Sequence, residues 1–214
     1  MARTRLALGA IVIVLAACEG RTRPPSQAAR IKGPDGKEYL LLDRGAYKGF
    51  YDPWGRLQRI EYDANGDGRA DHVAHHDGAE SPHRLDVDEN FDGRFDRWED
   101  YDPQGRLTKV GLSRKGKGAP DLWVTAGPGD LPAKKEYDDD GDMRVDRTEV
   151  YERGLIVRVI LDSDHDGKPD RWQDWSSGRL GTEDIDSDAD GHPDRRIIYN
   201  QQGRVLKMDP LRGQ

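Results

Sequence analysis

The chain has a single cysteine, Cys18, in 214 residues, so no disulfide can form within it and the fold cannot depend on covalent staples. Apolar residues are scarce as well. Only 34% of the chain is hydrophobic and 7% aromatic, against 35% charged, too little for a thick core covered on both sides. No run reaches the roughly 20 apolar residues that span a bilayer as a helix. The 34 basic residues are scattered among 41 acidic ones with no basic stripe, which argues against a nucleic-acid partner. A nucleophile elbow, a phosphate-binding loop and a zinc-protease helix are all missing. The sequence therefore predicts no enzyme.

The longest apolar run, Leu6 to Ala17, follows Arg3 and Arg5 and has the length and flanks of a secretory leader. Leu15-Ala16-Ala17-Cys18 resembles the bacterial lipobox. That resemblance implies removal of residues 1–17, lipidation of Cys18, and a membrane as partner through the lipid. It also implies the bacterial cell envelope as location. Glu19, in place of Asp, favours the outer membrane if the host is Gram-negative. Residues 18–33, with Pro24 and Pro25, read as a flexible tether, residues 34–208 as a repeat domain, and 209–214 as a tail.

What the chain has in abundance is one acidic loop, repeated every 24 or 25 residues. Two copies carry Asp63, Asn65, Asp67, Asp71 and Asp88, Asn90, Asp92, Asp96. Three more carry Asp138, Asp140, Asp142, Asp146; Asp162, Asp164, Asp166, Asp170; and Asp186, Asp188, Asp190, Asp194. In each, oxygen-bearing side chains stand at positions 1, 3, 5 and 9. Position 6 is Gly in all of these except the copy with Met143. A degenerate copy has Ser113, Lys115, Lys117, Gly118 and Asp121. Asp, Asn and Gly favour turns without any ion, so one such loop would carry little weight. Five with acids at the same alternating positions point to a hard divalent cation, calcium first, bound at sites of unequal affinity. Glu99 and Glu149, at position 12 of two copies, are candidate bidentate ligands. The two lysines of the degenerate copy predict a metal-free loop.

The spacers repeat too. Tyr51-Asp-Pro-Trp-Gly55-Arg56-Leu57 returns as Tyr101-Asp-Pro-Gln-Gly105-Arg106-Leu107, with looser copies from Tyr151, Trp175 and Tyr199. A Gly-containing turn between two runs of about six residues, alternating and rich in aromatic and β-branched side chains, predicts a hairpin. One unit is strand, tight turn, strand, acidic loop. Fixed-period self-similarity then predicts an elongated, all-β tandem array of about six antiparallel hairpins.

Asp88 to Glu99 fits the EF-hand loop pattern, but Pro-x-Gly turns interrupt the gaps between loops, and proline inside a helix costs about 3 kcal/mol. The loops therefore join strands, not EF-hand helices. They also resemble the Asp-rich loops of thrombospondin type 3 repeats, which depend on cysteines absent here. The Tyr-Asp-Pro-x-Gly-Arg-Leu segments resemble the YD repeats of the RHS family, which implies strand-turn-strand geometry from Tyr51 to Leu206. Together the motifs resemble Asp-rich repeat lipoproteins of bacterial surfaces.

The resulting expectation is a calcium-stabilised structural or adhesive module with a protein or glycan partner at the cell surface. The alternative is a carbohydrate-binding or enzyme-accessory module that uses exposed tryptophans. Trp98 and Trp172, with Tyr101 and Trp175, read as sheet packing. His72, His75 and His76 read as partly exposed residues of a polar strand rather than as a zinc, copper or nickel site.

Overall fold

A computed structural model of the chain describes residues 27–33, 35–78 and 81–211; the leader, Cys18, residues 19–26 of the expected tether and the last three residues lie outside them. The described chain is all-β, and its strands follow one another in chain order. It divides into two compact units, with the boundary after Pro120. Among the described residues no helix is long and apolar enough to cross a membrane.

The first unit is an antiparallel meander of eight strands: β1 (Ala29–Lys32), β2 (Glu38–Arg44), β3 (Tyr47–Tyr51), β4 (Leu57–Tyr62), β5 (His72–His75), β6 (Arg84–Val87), β7 (Arg97–Tyr101) and β8 (Leu107–Leu112). The second repeats the plan with β9 (Leu122–Ala126), β10 (Pro132–Tyr137), β11 (Arg147–Glu152), β12 (Leu155–Leu161), β13 (Arg171–Ser176), β14 (Arg179–Ile185), β15 (Arg195–Tyr199) and β16 (Val205–Pro210). A short 3-10 turn at Pro128–Asp130 joins β9 to β10. Strand β1 falls inside the segment expected to be a tether. It pairs with β2 from Ala29↔Leu41 to Lys32↔Glu38, mostly through backbone, and its side chains are largely exposed. An edge strand of that kind needs no apolar alternation, so the sequence pattern gave no sign of it.

In a meander, alternate connections fall at the same end of the strands. Within each unit the acidic loops therefore share one end, joined in the first unit by the Gly45-Ala46 turn, and the turns after the repeated aromatic share the other. The turns that follow the repeated aromatic come in two kinds. Asp52 and Asp102 each close a wider turn: Asp52 Oδ1 accepts the N–H groups of Trp54 and Arg56 at 3.0 and 2.8 Å, and its Oδ2 accepts Arg56 Nε at 2.6 Å. Asn200 does the same with one oxygen. Arg153-Gly154 and Ser177-Gly178 are two-residue turns with positive φ at both positions, the conformation that matches strand twist. Both kinds end at the same irregularity, a register shift at Tyr51, Tyr101, Tyr151, Trp175 and Tyr199. The repeated aromatic thus marks a β-bulge.

The core of each unit follows a central row of paired residues. In the first unit it runs Ile60, Ala74, Leu85, Glu99, Val110. In the second it runs Val124, Lys135, Glu149, Val159, Gln173, Glu183, Ile197. Most of these side chains are buried, the glutamates among them. With so narrow a core, stability accumulates from cross-strand pairs worth roughly 0.2–1 kcal/mol each, which is how a chain this polar can still fold. The glutamates are neutralised locally. Glu149 Oε2 accepts the hydroxyls of Tyr137 and Tyr151 at 2.9 and 2.5 Å, with Arg147 3.5 Å from Oε1. Glu183 receives Tyr199 and Gln173, and Glu99 receives Tyr101 with Arg97 at 3.3 Å.

On the other face Trp98 lies against Gly111, and His75 meets Asp86 at 2.9 Å. Among the three histidines noted from sequence, His76 is buried while His72 and His75 are half-buried.

Candidate metal centres

Each acidic loop bends back on itself through two left-handed residues, at positions 4 and 6. Position 6 is Gly68, Gly93, Gly167 or Gly191, with φ from 85° to 91°, and in one copy Met143 at 71°. Position 4 is Gly66 or Gly141 in two loops, but Phe91, His165 and Ala189 elsewhere, with φ near 60°. That second reversal is hidden in the sequence because three different side chains occupy it. The degenerate loop has the same reversals at Gly116 and Gly118, and Ser113 Oγ accepts the Lys117 N–H at 3.1 Å. The loop shape therefore survives loss of the acids at positions 1, 3 and 5.

The side chains at positions 1 and 9 turn inward. Asp88, Asp138, Asp162 and Asp186 at position 1 are buried, as are Asp71 and Asp146 at position 9. Position 9 ties down the first turn of its own loop. Asp71 Oδ2 accepts the N–H groups of Ala64 and Asn65 at 2.6 and 3.0 Å; Asp96 and Asp146 repeat the arrangement, while Asp170 and Asp194 instead receive the hydroxyls of Ser163 and Ser187. Position 1 holds the second half. Asp88 Oδ1 and Oδ2 accept Phe91 and Gly93 N–H, both at 2.7 Å. Positions 3 and 5 stay exposed and mostly hold the N–H two residues ahead, as at Asn65, Asp67, Asn90, Asp92, Asp140, Asp142, Asp166 and Asp190.

This division of labour leaves positions 1, 3 and 5 facing one another. Asp138, Asp140 and Asp142 each offer an oxygen within 4.8 Å of the others, and so do Asp162, Asp164, Asp166 and Asp186, Asp188, Asp190. In the first two loops Asn65 and Asn90 replace one carboxylate by an amide oxygen, a weaker donor set for a hard cation. The 186–194 loop gives the clearest fit. Asp186 is 7% exposed, its Oδ2 accepts Gly191 N–H at 2.7 Å, and no donor reaches its buried Oδ1 with hydrogen-bond geometry. Burial pushes the Asp186 carboxyl up, but Gly191 N–H and the adjoining Asp188 bring it below its ordinary value. Asp188 is raised in turn, first by Asp186 and then by the charge of Asp190. Carboxylates crowded in this way repel each other, and a divalent cation relieves the repulsion.

Glu99 and Glu149 lie on β7 and β11 rather than in the loops, where tyrosine hydroxyls and arginines hold them. Among the described residues they join none of the close carboxylate groups.

Successive loops within a unit are stacked. The N–H of position 1 donates to the position 9 carbonyl of the loop before: Asp88 to Asp71 at 2.7 Å, Asp162 to Asp146 at 2.8 Å, Asp186 to Asp170 at 3.0 Å. An arginine at position 7 crosses the glycine of the next loop, Arg69 at Gly93, Arg94 at Gly118 and Arg144 at Gly167. Stacking also brings a residue that the sequence did not single out to a neighbouring loop. His165 Nδ1 sits 2.8 Å from Asp146 Oδ1 and 3.6 Å from Asp140 Oδ2. The only sequence signal was an imidazole at a position where other loops carry Gly, Phe or Ala.

No protein-family model and no curated protein sequence matches this chain. Among solved structures, a crystal structure of TarM is similar over 46% of this chain and 19% of its own, at 8% identity and a TM-score of 0.37. The accessory secretory protein 1, 2 and 3 structure from Streptococcus pneumoniae is similar over 51% and 20%, at 14% identity and a TM-score of 0.37. A variant of S. aureus TarM is similar over 52% and 19%, at 8% identity and a TM-score of 0.28. The chain spans about a fifth of the length of each.

Proposed function

We propose that the protein is a lipid-anchored, non-catalytic repeat module of the bacterial envelope whose acidic loops bind calcium and stiffen a structural or adhesive surface. The observation that carries the cation reading is the 186–194 loop, where the carboxylates of Asp186, Asp188 and Asp190 converge and Asp186 is buried. Calcium would supply positive charge and flexible oxygen coordination at positions 1, 3 and 5. Side chains at positions 1 and 9 would keep the backbone in the shape that presents those oxygens. A scaffold role accords with the degenerate loop, which keeps its reversals without the acids. Isothermal titration of calcium into the chain lacking residues 1–17 tests this reading. Several equivalents should bind, and Asp186→Ala should remove one; binding of none refutes it.

The anchoring half of the proposal rests on Leu15-Ala16-Ala17-Cys18. Full-length protein expressed in a Gram-negative host should incorporate labelled palmitate and fractionate with membranes, and Cys18→Ser should abolish both.

Trp54 supports the glycan-binding alternative. It is 70% exposed at the tip of the β3–β4 turn, with the Arg56 guanidinium 5.4 Å from its ring centre. Glycan-array binding that is lost in Trp54→Ala would favour this alternative.

A further inference from the structure

The geometry points to a second kind of metal site, built by Asp140, Asp146 and His165 across two stacked loops, which takes a first-row transition cation of the zinc class. This site shares Asp140 with the Asp138, Asp140, Asp142 group but adds an imidazole nitrogen, a donor that calcium does not take. The three ligand atoms lie within 4.8 Å of one another. Around a tetrahedral ion with bonds of about 2.0–2.1 Å, donor atoms stand about 3.3 Å apart. The His165 Nδ1 separations of 2.8 and 3.6 Å straddle that value, so small side-chain rotations suffice to seat an ion among them.

Each ligand is also positioned beforehand. Asp146 Oδ2 is fixed by the N–H groups of Asp139 and Asp140 at 2.5 and 3.1 Å, leaving Oδ1 for the imidazole. Asp140 Oδ1 is fixed by the Asp142 N–H at 2.9 Å, leaving Oδ2 on the same side. His165 stands at a left-handed position, φ 60°, and the Asp162 N–H to Asp146 carbonyl bond holds its loop against the neighbouring one. Asp146 is 5% exposed on its side chain and His165 44%. The site is thus walled by protein on the Asp146 side and open to water on the other, with room for further ligands.

One nitrogen and two carboxylate oxygens suit zinc, cobalt or nickel, whereas calcium takes oxygen alone. On binding, the ion takes the place of the hydrogen bond between His165 Nδ1 and Asp146, and any proton released goes to solvent.

The test uses the chain from Cys18 onward with cobalt alone and zinc alone. One equivalent of cobalt should give visible absorption bands, and zinc should displace it. His165→Asn is the decisive variant, because Asn accepts positive φ while removing the nitrogen ligand. It should weaken zinc at least about tenfold, the loss that even an outer-sphere partner of a ligand causes, while leaving the number of calcium equivalents unchanged. Long-range proton–nitrogen spectra of the zinc-loaded wild type should show the change at His165 Nδ1, a readout that holds even if the variant folds poorly. Absence of zinc and cobalt binding overturns the proposal, as does undiminished binding in His165→Asn or a spectral change confined to the five other histidines. Calcium binding without zinc binding sinks this inference alone; the reverse sinks only the calcium reading.

Discussion

Arg144 lies across Gly167, with Nη1 3.2 Å from the carbonyl of Asp166 and 2.4 Å from where a Cβ on the glycine would stand. Gly191, in the next loop, has the same backbone, φ 90° against 91°, and open space around it. The pair separates backbone strain from crowding. Both Gly167→Ala and Gly191→Ala should lose about 1–3 kcal/mol, the cost of holding an L-residue at such a φ. Gly167→Ala should lose somewhat more, because Arg144 must swing away and give up its bond. In an Arg144→Ala background the two glycine substitutions should cost the same, as measured by denaturant unfolding.

Calcium dependence of melting tests the loops as a set. A ligand bound only by the folded state adds about 1.4 kcal/mol per site at tenfold excess over its Kd, so millimolar calcium should raise Tm by several degrees. Magnesium should do less, since it demands tighter octahedral geometry. Asp166→Ala should remove one calcium equivalent and part of the rise. Lys117→Ala, in the degenerate loop, should leave the stoichiometry unchanged. Identical behaviour of the two variants would reduce the loops to turns.

Glu149 separates a metal ligand from a core residue. Two tyrosine hydroxyls and Arg147 surround it, so Glu149→Gln should destabilise the protein by about 2 kcal/mol, the scale of hydrogen bonds to a charged group. Calcium titration of the variant should return the wild-type number of equivalents. Loss of an equivalent would place Glu149 in the ligand set.

Asp86 should carry part of the acid sensitivity. Burial pushes its carboxyl up, but hydrogen bonds from His75 and Arg84 more than offset this and hold it below the ordinary 3.8. A carboxyl lowered by folding stabilises fully above its unfolded value and loses that effect as pH falls through the folded one. Asp86→Asn should therefore cost about 1–3 kcal/mol near neutrality. The gap from wild type should stay constant down to roughly pH 5 and narrow below pH 4, as followed by thermal melts across that range.

Much of the fold was legible because the period is literal. Asp-Pro-x-Gly-Arg after an aromatic marks a turn, and the acidic loops recur at equal spacing, so strand-turn-strand-loop could be read directly. The site was legible at positions 1, 3 and 5, where the acids alternate. Position 9 was harder to read, because Asp71 and Asp146 accept backbone N–H groups through Oδ2, and a carboxylate that caps a turn and one that binds an ion are the same letter. Glu99 and Glu149 show a related ambiguity. Their distance from the loop matched a ligand spacing, yet strand pairing carries them into the central row. His165 went unnoticed because its partners belong to another loop and meet it only through stacking.

The stacking bond between Asp186 N–H and the Asp170 carbonyl also bears on how such a chain can change length. Its donor and acceptor are the same two loop positions that meet between Asp162 and Asp146. Excising residues 162–185 would leave the Asp186 N–H facing the Asp146 carbonyl, one backbone rung taking over from another while β12 meets β15 in place of β13. Gain or loss of a whole period is therefore nearly silent to these rungs, and the turns already absorb the single residue by which the 24- and 25-residue periods differ. Copy number can drift in steps of one repeat.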